Sequence, residues 1–178
     1  MKPAVFLDRD GTLVRDDGYV HAIEDLEVLP HVAEGLALLK QAGFLLIVVT
    51  NQSGVARGLY GEEDVQRFHA ELNVRLGAEA AIDAFYYCPY HPDATVPHYR
   101  RTSPLRKPDI GMFHSACRDF PIAVERSYMI GDRESDAGFA ARAGLFPILI
   151  RSGKADAAAV SVDHLLEAAA LILRRSGR

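Results

Sequence analysis

The amino-acid sequence predicts an α/β fold built on a doubly wound, mostly parallel sheet flanked by helices. Short apolar runs alternate with longer amphipathic segments along the 178 residues, and strands that alternate with helices form parallel units. Right-handed crossovers then place helices on both faces of the sheet. The sequence contains neither an internal repeat nor a low-complexity linker, so we expect one domain over residues 1–178.

Five short apolar runs are rich in Val, Ile, Leu, Phe and Tyr, as buried strands are. The predicted strands span residues 4–7, 45–49, 84–87, 128–130 and 147–150. Apolar residues at helical spacing predict five helices in the remaining segments. These helices are indicated by Val32, Leu36 and Leu39, by Val65, Phe68, Leu72 and Leu76, by Met112, Phe113 and Ala116, and by the segments 136–143 and 162–173.

Residues 88–108 interrupt the alternation of strands and helices. Prolines recur between Pro89 and Pro108, and the apolar residues follow neither a helical nor a strand period. Loops of this length in compact domains are usually functional or disordered. We therefore expect an irregular loop at about 88–108 that contributes to substrate binding.

Composition narrows the range of partners and compartments. A net charge of -4 gives no reason to expect nucleic acid or an anionic membrane as a partner. The two cysteines, Cys88 and Cys117, are far apart in sequence and favour a reducing compartment. The chain opens on a strand-like run without the features of a signal peptide, and its apolar runs are too short to cross a bilayer. We expect a cytoplasmic protein.

Polar side chains follow three of the predicted strands at the point where each strand ends. In open α/β sheets, ligands bind beyond the carboxyl ends of the strands, so we expect these side chains to meet at one edge. They are Asp8 and Asp10 after the first strand, Thr50 and Asn51 after the second, Asp132 after the fourth, and Lys107 before the helix that leads to the fourth.

A cluster of Asp8, Asp10 and Asp132 requires a cation or bound protons at neutral pH. Two unit charges about 4 Å apart repel by roughly 4 kcal/mol at an effective dielectric constant of about 20. The candidate ligands are oxygen atoms, which favour Mg²⁺ over zinc. The alternative is a set of solvated aspartates at loop ends. Asp136 is a further candidate, and an aspartate there also fits a helix N-cap.

The same residues favour phosphoryl transfer through a covalent intermediate. Asp8 is placed as a nucleophile that forms an aspartyl phosphate. Asp10, two residues further on, is the candidate general acid that protonates the leaving oxygen and later activates water. Thr50 and Lys107 are expected to hold the phosphoryl oxygens on which charge develops.

Four motifs, in order, resemble those of the haloacid-dehalogenase (HAD) phosphatase superfamily. They are the segments 8–12, 50–51, 107–108 and 131–136, and the resemblance spans roughly residues 4–150. It implies a HAD-like, Rossmann-like fold with Asp8 as the nucleophile and Asp10 as the general acid and base. It further implies that Mg²⁺ is bound by the side chain of Asp8, the backbone carbonyl of Asp10 and the side chain of Asp132.

A narrower resemblance concerns the substrate. The segments 8–10, 51–58, 88–92 and 106–108 are similar to those of the D-glycero-D-manno-heptose 1,7-bisphosphate phosphatases, to which the histidinol-phosphate phosphatases are close relatives. The resemblance implies a capless site in which Asn51, Arg57 and Arg106 contact substrate. A basic group independently fits a second phosphate, because arginine binds phosphate through two parallel hydrogen bonds. That group comprises Arg57, Arg100, Arg101, Arg106 and Lys107.

The loop departs from this subgroup at a zinc site that the subgroup commonly has. The first zinc ligand is present as Cys88, but Tyr90, Ser103 and Leu105 stand at the other ligand positions. Tyrosine and leucine cannot replace histidine and thiolate around zinc. We therefore do not expect the loop to bind zinc, and Mg²⁺ is the expected cofactor.

The leading hypothesis is a monomeric phosphatase of a small phosphorylated metabolite. The resemblance favours removal of the 7-phosphate from D-glycero-D-manno-heptose 1,7-bisphosphate, and a histidinol-phosphate phosphatase or another small-metabolite phosphatase is the alternative. A phosphate-accepting signalling domain is an alternative of another class. It is disfavoured because the acidic pair Asp8 and Asp10 follows the first strand and because Asp10 supplies a base that turns the intermediate over.

Overall fold

A computed structural model describes residues 1–150 and 160–177. Six strands form one sheet in the order β3-β2-β1-β4-β5-β6, and every described pair of neighbours is parallel. The strands are β1 (Ala4–Leu7), β2 (Leu45–Asn51), β3 (Ala84–Cys88), β4 (Tyr128–Gly131), β5 (Phe146–Ile150) and β6 (Val160–Val162). The prediction of a doubly wound, mostly parallel sheet is confirmed.

The described helices also follow the predicted order. They are α1 (Val32–Gln41), α2 (Ser53–Ala56), α3 (Glu62–Leu76), α4 (Gly111–Asp119), α5 (Glu134–Ala143) and α6 (Leu165–Arg175). The sequence did not predict α2 or β6, since each is too short to carry a periodic pattern. Residues 88–108 are irregular except for a 3₁₀ turn at Pro97–Tyr99.

Alternate residues of the central strands supply two separate cores. In β1, Val5 and Leu7 face one core, which α1, α3 and α6 cover, while Ala4 and Phe6 face the other, which α4 and α5 cover. Successive side chains of a strand point to opposite faces, so a strand buried on both faces is apolar throughout. This explains why the strands were recognisable as continuous apolar runs.

The direction of strand order reverses on either side of β1, which pairs with both β2 and β4. Leu7 lies opposite Val48 in β2 and opposite Ile130 in β4. The backbone continues from this point into Asp8, whose N–H donates to the carbonyl of Ile130 at 2.9 Å. Such a reversal opens a crevice beyond the carboxyl ends of the strands, where ligands of open α/β sheets bind.

Two further expectations concern membrane spans and the number of domains. Among the described helices, none combines the length and apolar character needed to cross a membrane. The prediction of one domain over residues 1–178 includes 151–159 and 178, which lie outside the described residues, so it stays a prediction.

The hydroxyl of Ser127 connects β1 to the turn before β4. It accepts a hydrogen bond from the Ala4 N–H at 2.9 Å and donates to the Ala123 carbonyl at 2.7 Å, and Ser127 is buried. We expect Ser127→Ala to lower the free energy of unfolding by about 1–3 kcal/mol, because buried polar groups lose their partner. Urea unfolding measures this. Ser115→Ala, on α4, is the control, and equal effects of the two changes would contradict the prediction.

Candidate active site

Three carboxylates meet in the crevice at the reversal of strand order. Ligand atoms of Asp8, Asp132 and Asp136 all lie within 4.8 Å of one another. Asp8 follows β1, Asp132 follows β4, and Asp136 lies in the first turn of α5. The structure thus brings Asp8 and Asp132 together, as the sequence predicts, and adds Asp136.

Lys107 carries the positive charge closest to this group. Its ammonium lies 2.9 Å from Asp8 Oδ1 and 2.7 Å from Asp136 Oδ1, and its side chain is 1% exposed. Burial alone would lower the pKa of Lys107, but Asp136 and Asp8 more than offset it and raise the pKa. The side chain is therefore a buried ammonium that holds two elements of the site together.

Asp136 has both of the roles that the sequence allows, since it caps the start of α5 and also belongs to the carboxylate cluster. Besides its ion pair with Lys107, its Oδ2 accepts hydrogen bonds from the N–H groups of Asp132 and Arg133, at 3.2 and 3.1 Å. It therefore satisfies backbone donors at the start of α5 and also contributes charge to the cluster. The helix terminus fixes where that charge lies.

Burial, together with the crowding of like charges, raises the pKa values of two carboxyls in the cluster. Burial, followed by the neighbouring charges of Asp8 and Asp136, raises the pKa of Asp132 to about 7. Burial raises the pKa of Asp136 to about 6, although Lys107 opposes the shift. The site consists of oxygen ligands whose negative charges need compensation, and this donor set fits Mg²⁺ rather than a thiolate-preferring metal.

Gly11 permits the tight turn that brings the first motif against Asp132. Its φ is +83°, and a Cβ there would lie 2.4 Å from Asp132 Oδ2. A larger residue would therefore be strained in its backbone and would push into the carboxylate. The first motif therefore needs a glycine at position 11, because the Asp132 carboxylate occupies the space that a side chain would take.

Asp10 lies beside the cluster, and its carboxylate is held by other residues. Arg9 donates from Nε to Asp10 Oδ1 at 2.6 Å and from Nη2 to Oδ2 at 3.0 Å, and Gln52 donates to Oδ2 at 2.9 Å. Burial, opposed by Arg9 and reinforced by Asp8, raises the pKa of Asp10. Sequence reasoning missed Arg9 and Gln52. Their position directly beside the motifs was a signal, but sequence does not reveal that both are fully buried.

Thr50 and Asn51 end β2 on the other side of the crevice. Thr50 is buried, and its hydroxyl accepts a hydrogen bond from Gln52 Nε2 at 2.9 Å. The Asn51 amide donates to the Lys107 carbonyl at 3.1 Å and accepts from the Lys107 N–H at 3.0 Å. Asn51 thus positions the backbone of Lys107, a contact between distant segments that has no local signal in the sequence.

Arg57 and Arg106 form a basic pair, and Arg106 directly precedes Lys107 in the chain. Burial lowers the pKa of Arg106, and the nearby charge of Arg57 lowers it further, although Cys88 opposes both. The guanidinium of Arg57 lies 5.8 Å from the ring centre of Tyr19, and Arg106 donates to the Tyr90 carbonyl at 3.4 Å. These two arginines are close enough to repel each other, as expected of an anion-binding pair.

The other two arginines of the predicted basic group bind within the loop instead. Arg100 donates to the Ala94 carbonyl at 2.6 Å, and the guanidinium of Arg101 stacks 3.8 Å from the ring centre of Tyr90. Tyr90 occupies a position where the subgroup commonly has a zinc ligand. At this position, the Tyr90 ring makes a cation–π contact with Arg101.

Glu62 of α3 anchors the same loop. Tyr87 and Tyr99 donate hydrogen bonds to its two carboxylate oxygens at 2.7 and 2.9 Å. The thiol of Cys88 donates to the Tyr90 carbonyl at 3.7 Å. These contacts connect the loop to β3 and α3 through oxygen and aromatic groups.

Comparison with known proteins agrees with this geometry. A family model described as HAD-hydrolase-like matches residues 104–171. The D-glycero-β-D-manno-heptose-1,7-bisphosphate 7-phosphatase of Photorhabdus laumondii is 43% identical over 154 residues, which cover 85% of this chain and 82% of the relative. The protein of the same name from Escherichia coli K12 is 42% identical over 155 residues, with 85% and 81% covered.

Among solved structures, the D,D-heptose 1,7-bisphosphate phosphatase of B. bronchiseptica, complexed with magnesium and phosphate, superposes with a TM-score of 0.84. It is 27% identical, and the match covers 97% of this chain and 99% of that chain. Fold, site and relatives define a HAD-like phosphatase, as the sequence predicts. The chain belongs to the D-glycero-β-D-manno-heptose-1,7-bisphosphate 7-phosphatase family, and the expectation of magnesium agrees with the ion bound in that structural relative.

The raised pKa of Asp132 predicts how pH controls metal binding. A carboxyl with a pKa of about 7 in the folded protein and 3.8 ordinarily destabilises the metal-free fold progressively as pH rises between those values. Mg²⁺ relieves this repulsion and competes with protons for the site. We expect Mg²⁺ to raise the melting temperature clearly at pH 8 and little at pH 5. Thermal unfolding with and without EDTA measures the difference, and Asp132→Asn is expected to remove it.

Proposed function

We propose that this chain hydrolyses the 7-phosphate of D-glycero-β-D-manno-heptose 1,7-bisphosphate and releases the 1-phosphate sugar. The observation that carries the proposal is the carboxylate cluster together with a basic pair, Arg57 and Arg106, which we assign to its rim because Arg106 directly precedes Lys107. A substrate with two phosphates fits this division, one phosphate at the carboxylates and one at the arginines. The names of the relatives point to the same bisphosphate.

Asp8 is the proposed nucleophile. Its carboxylate attacks phosphorus in line with the leaving oxygen and forms an aspartyl phosphate. Lys107, 2.9 Å from Asp8 Oδ1, neutralises charge on the transferred group, and the Thr50 hydroxyl donates to a phosphoryl oxygen. These positions put a cation and a donor where charge develops.

Asp8, the carbonyl of Asp10 and Asp132 are the proposed ligands of Mg²⁺. When bound, the ion offsets the negative charge of the carboxylates and of the phosphoryl oxygens. The ion would thereby offset the repulsion from Asp8 and Asp136 that contributes to the raised pKa of Asp132.

Asp10 is the proposed general acid and base. It donates a proton to the leaving oxygen of the sugar and then takes a proton from the water that attacks the aspartyl phosphate. Burial raises its pKa, which favours the protonated form needed in the first step. The hydrogen bonds from Arg9 keep its carboxylate separate from the metal ligands.

The remaining contacts are assigned to the sugar and its second phosphate. Asn51 uses one N–H and one lone pair on Lys107, so its second N–H is available for substrate. Arg57 and Arg106 are assigned to the 1-phosphate. We further propose that the protein acts as a monomer in the cytoplasm, since one chain supplies every residue of this site.

A substrate panel tests the assignment. We expect kcat/KM to be highest for the 1,7-bisphosphate, lower for heptose 7-phosphate and lowest for histidinol phosphate, because only the first offers both phosphates. Phosphate release at matched concentrations measures this order. Asp8→Asn is expected to abolish release from all three. A higher kcat/KM for histidinol phosphate would refute the substrate assignment, whereas activity of Asp8→Asn would refute the covalent route.

Removing one rim arginine tests the site of the second phosphate. We expect Arg106→Gln to lower kcat/KM for the 1,7-bisphosphate by roughly 10- to 100-fold, as for a lost hydrogen bond to a charged group. The loss for heptose 7-phosphate is expected to be much smaller. Arg118→Gln, on the exposed end of α4, is the control. Equal losses for the two substrates would place the 1-phosphate elsewhere.

A further inference from the structure

Gln52 is a buried amide at the centre of the hydrogen bonds that surround the reacting groups. It lies directly after β2 and is 0% exposed. Its Nε2 donates to Asp10 Oδ2 and to Thr50 Oγ1, both at 2.9 Å. Its Oε1 accepts from Arg9 Nη2 at 3.1 Å and from the Tyr60 hydroxyl at 2.8 Å. Both N–H groups and both lone pairs of the amide are therefore used.

The chemistry of the neighbours fixes which way this amide points. A guanidinium can only donate, so the atom that faces Arg9 must be the oxygen. With the oxygen facing Arg9, the nitrogen faces Asp10 Oδ2 and donates to it. Flipping the amide would set its NH2 group against the Arg9 guanidinium, so that two donors would face each other without an acceptor. The orientation follows from charge and not from the choice of atom names.

The orientation of Gln52 determines what the Thr50 hydroxyl can do. Because Thr50 Oγ1 accepts from Gln52, its own proton has to be donated elsewhere. Within residues 1–150 and 160–177, no acceptor is paired with that proton. Thr50 is 1% exposed and lies at the end of β2 beside the cluster. Its hydroxyl is thus prepared to donate to an oxygen of a ligand in the crevice.

We propose that Gln52 is a positioning residue that fixes two groups at once, the Thr50 hydroxyl as a donor to the phosphoryl group and the Asp10 carboxylate as the proton carrier. The inference rests on the proposed phosphatase function. All four hydrogen-bonding positions of the Gln52 amide are used within the protein, so it acts through the hydrogen bonds it gives. Arg9 and Tyr60 donate hydrogen bonds to the amide oxygen, and the amide nitrogen donates hydrogen bonds to Asp10 and Thr50.

Two substitutions separate this role from packing. Gln52→Met keeps approximate size and removes the polarity, whereas Gln52→Glu keeps the shape and replaces the donor facing Asp10 and Thr50 by an acceptor. We expect kcat to fall by roughly 10- to 100-fold in both, because misplaced catalytic groups act mainly on the transition state. KM is expected to change less than about threefold, since the rim arginines are intact. Gln41→Met, at the exposed C-terminal end of α1, is the control.

A transition-state mimic reports the same effect without turnover. Orthovanadate adopts the five-coordinate geometry of the transferred phosphoryl group, so its affinity is expected to fall in proportion to kcat. Calorimetry with the Mg²⁺-loaded protein measures it. Unchanged vanadate affinity and unchanged kcat in Gln52→Met would overturn the inference. Weaker vanadate binding in that variant, with no hydrolysis of the bisphosphate by the unchanged protein, would support the inference and refute only the substrate assignment.

A double variant tests whether Gln52 acts through Thr50. If it does, Thr50→Val combined with Gln52→Met loses less vanadate affinity than the product of the two single losses, because the second change removes an interaction already lost. Multiplicative losses would show that Gln52 acts independently of Thr50 and would overturn that half of the inference. Tyr60→Phe removes only the outer donor and is expected to weaken vanadate less than Gln52→Met.

Discussion

The buried ion pairs of Lys107 are the constraint on which the rest of the site depends. Three carboxylates are packed within 4.8 Å of one another, and the lysine is itself nearly without solvent. Each partner is costly alone, because a buried charge left without its counterion destabilises a fold by about 3–5 kcal/mol. Together the three ionised carboxylates and the one ammonium leave the cluster two positive charges short of balance. That shortage is what a divalent cation satisfies.

This arrangement connects the catalytic centre to the loop that forms its rim. Lys107 belongs to the 88–108 segment, and Asn51 clamps its backbone to the end of β2. The same segment is attached to α3 through Glu62. The loop therefore carries, at adjacent positions, the ammonium of Lys107 and the guanidinium of Arg106, to which the proposed function assigns catalysis and substrate binding. Under the proposed function, the arrangement of the loop would set the distance between the reacting phosphate and the phosphate assigned to Arg57 and Arg106.

Most of the fold and part of the site were predictable from sequence because their signals are local. Apolar runs marked five strands, and the carboxyl ends of those strands carried Asp8 and Asp132. Other features depend on pairings between distant segments. A glutamine after a strand reads the same whether it is solvated or bonded to four buried groups, as Gln52 is. Likewise, no local pattern indicates that Asn51 spends two hydrogen bonds on the backbone of Lys107.

The two aspartates of the first motif show how environment divides chemically equal groups. Asp8 and Asp10 lie two residues apart, yet Asp8 pairs with the ammonium of Lys107 and Asp10 with the guanidinium of Arg9. An ammonium is a compact charge beside which a carboxylate remains free to attack, whereas the forked guanidinium binds both oxygens of Asp10 and fixes its plane. A nucleophile needs an accessible oxygen, and a proton carrier needs a fixed direction. Separating the environments of paired carboxyls in this way would give each one the distinct task that the proposed mechanism assigns to it.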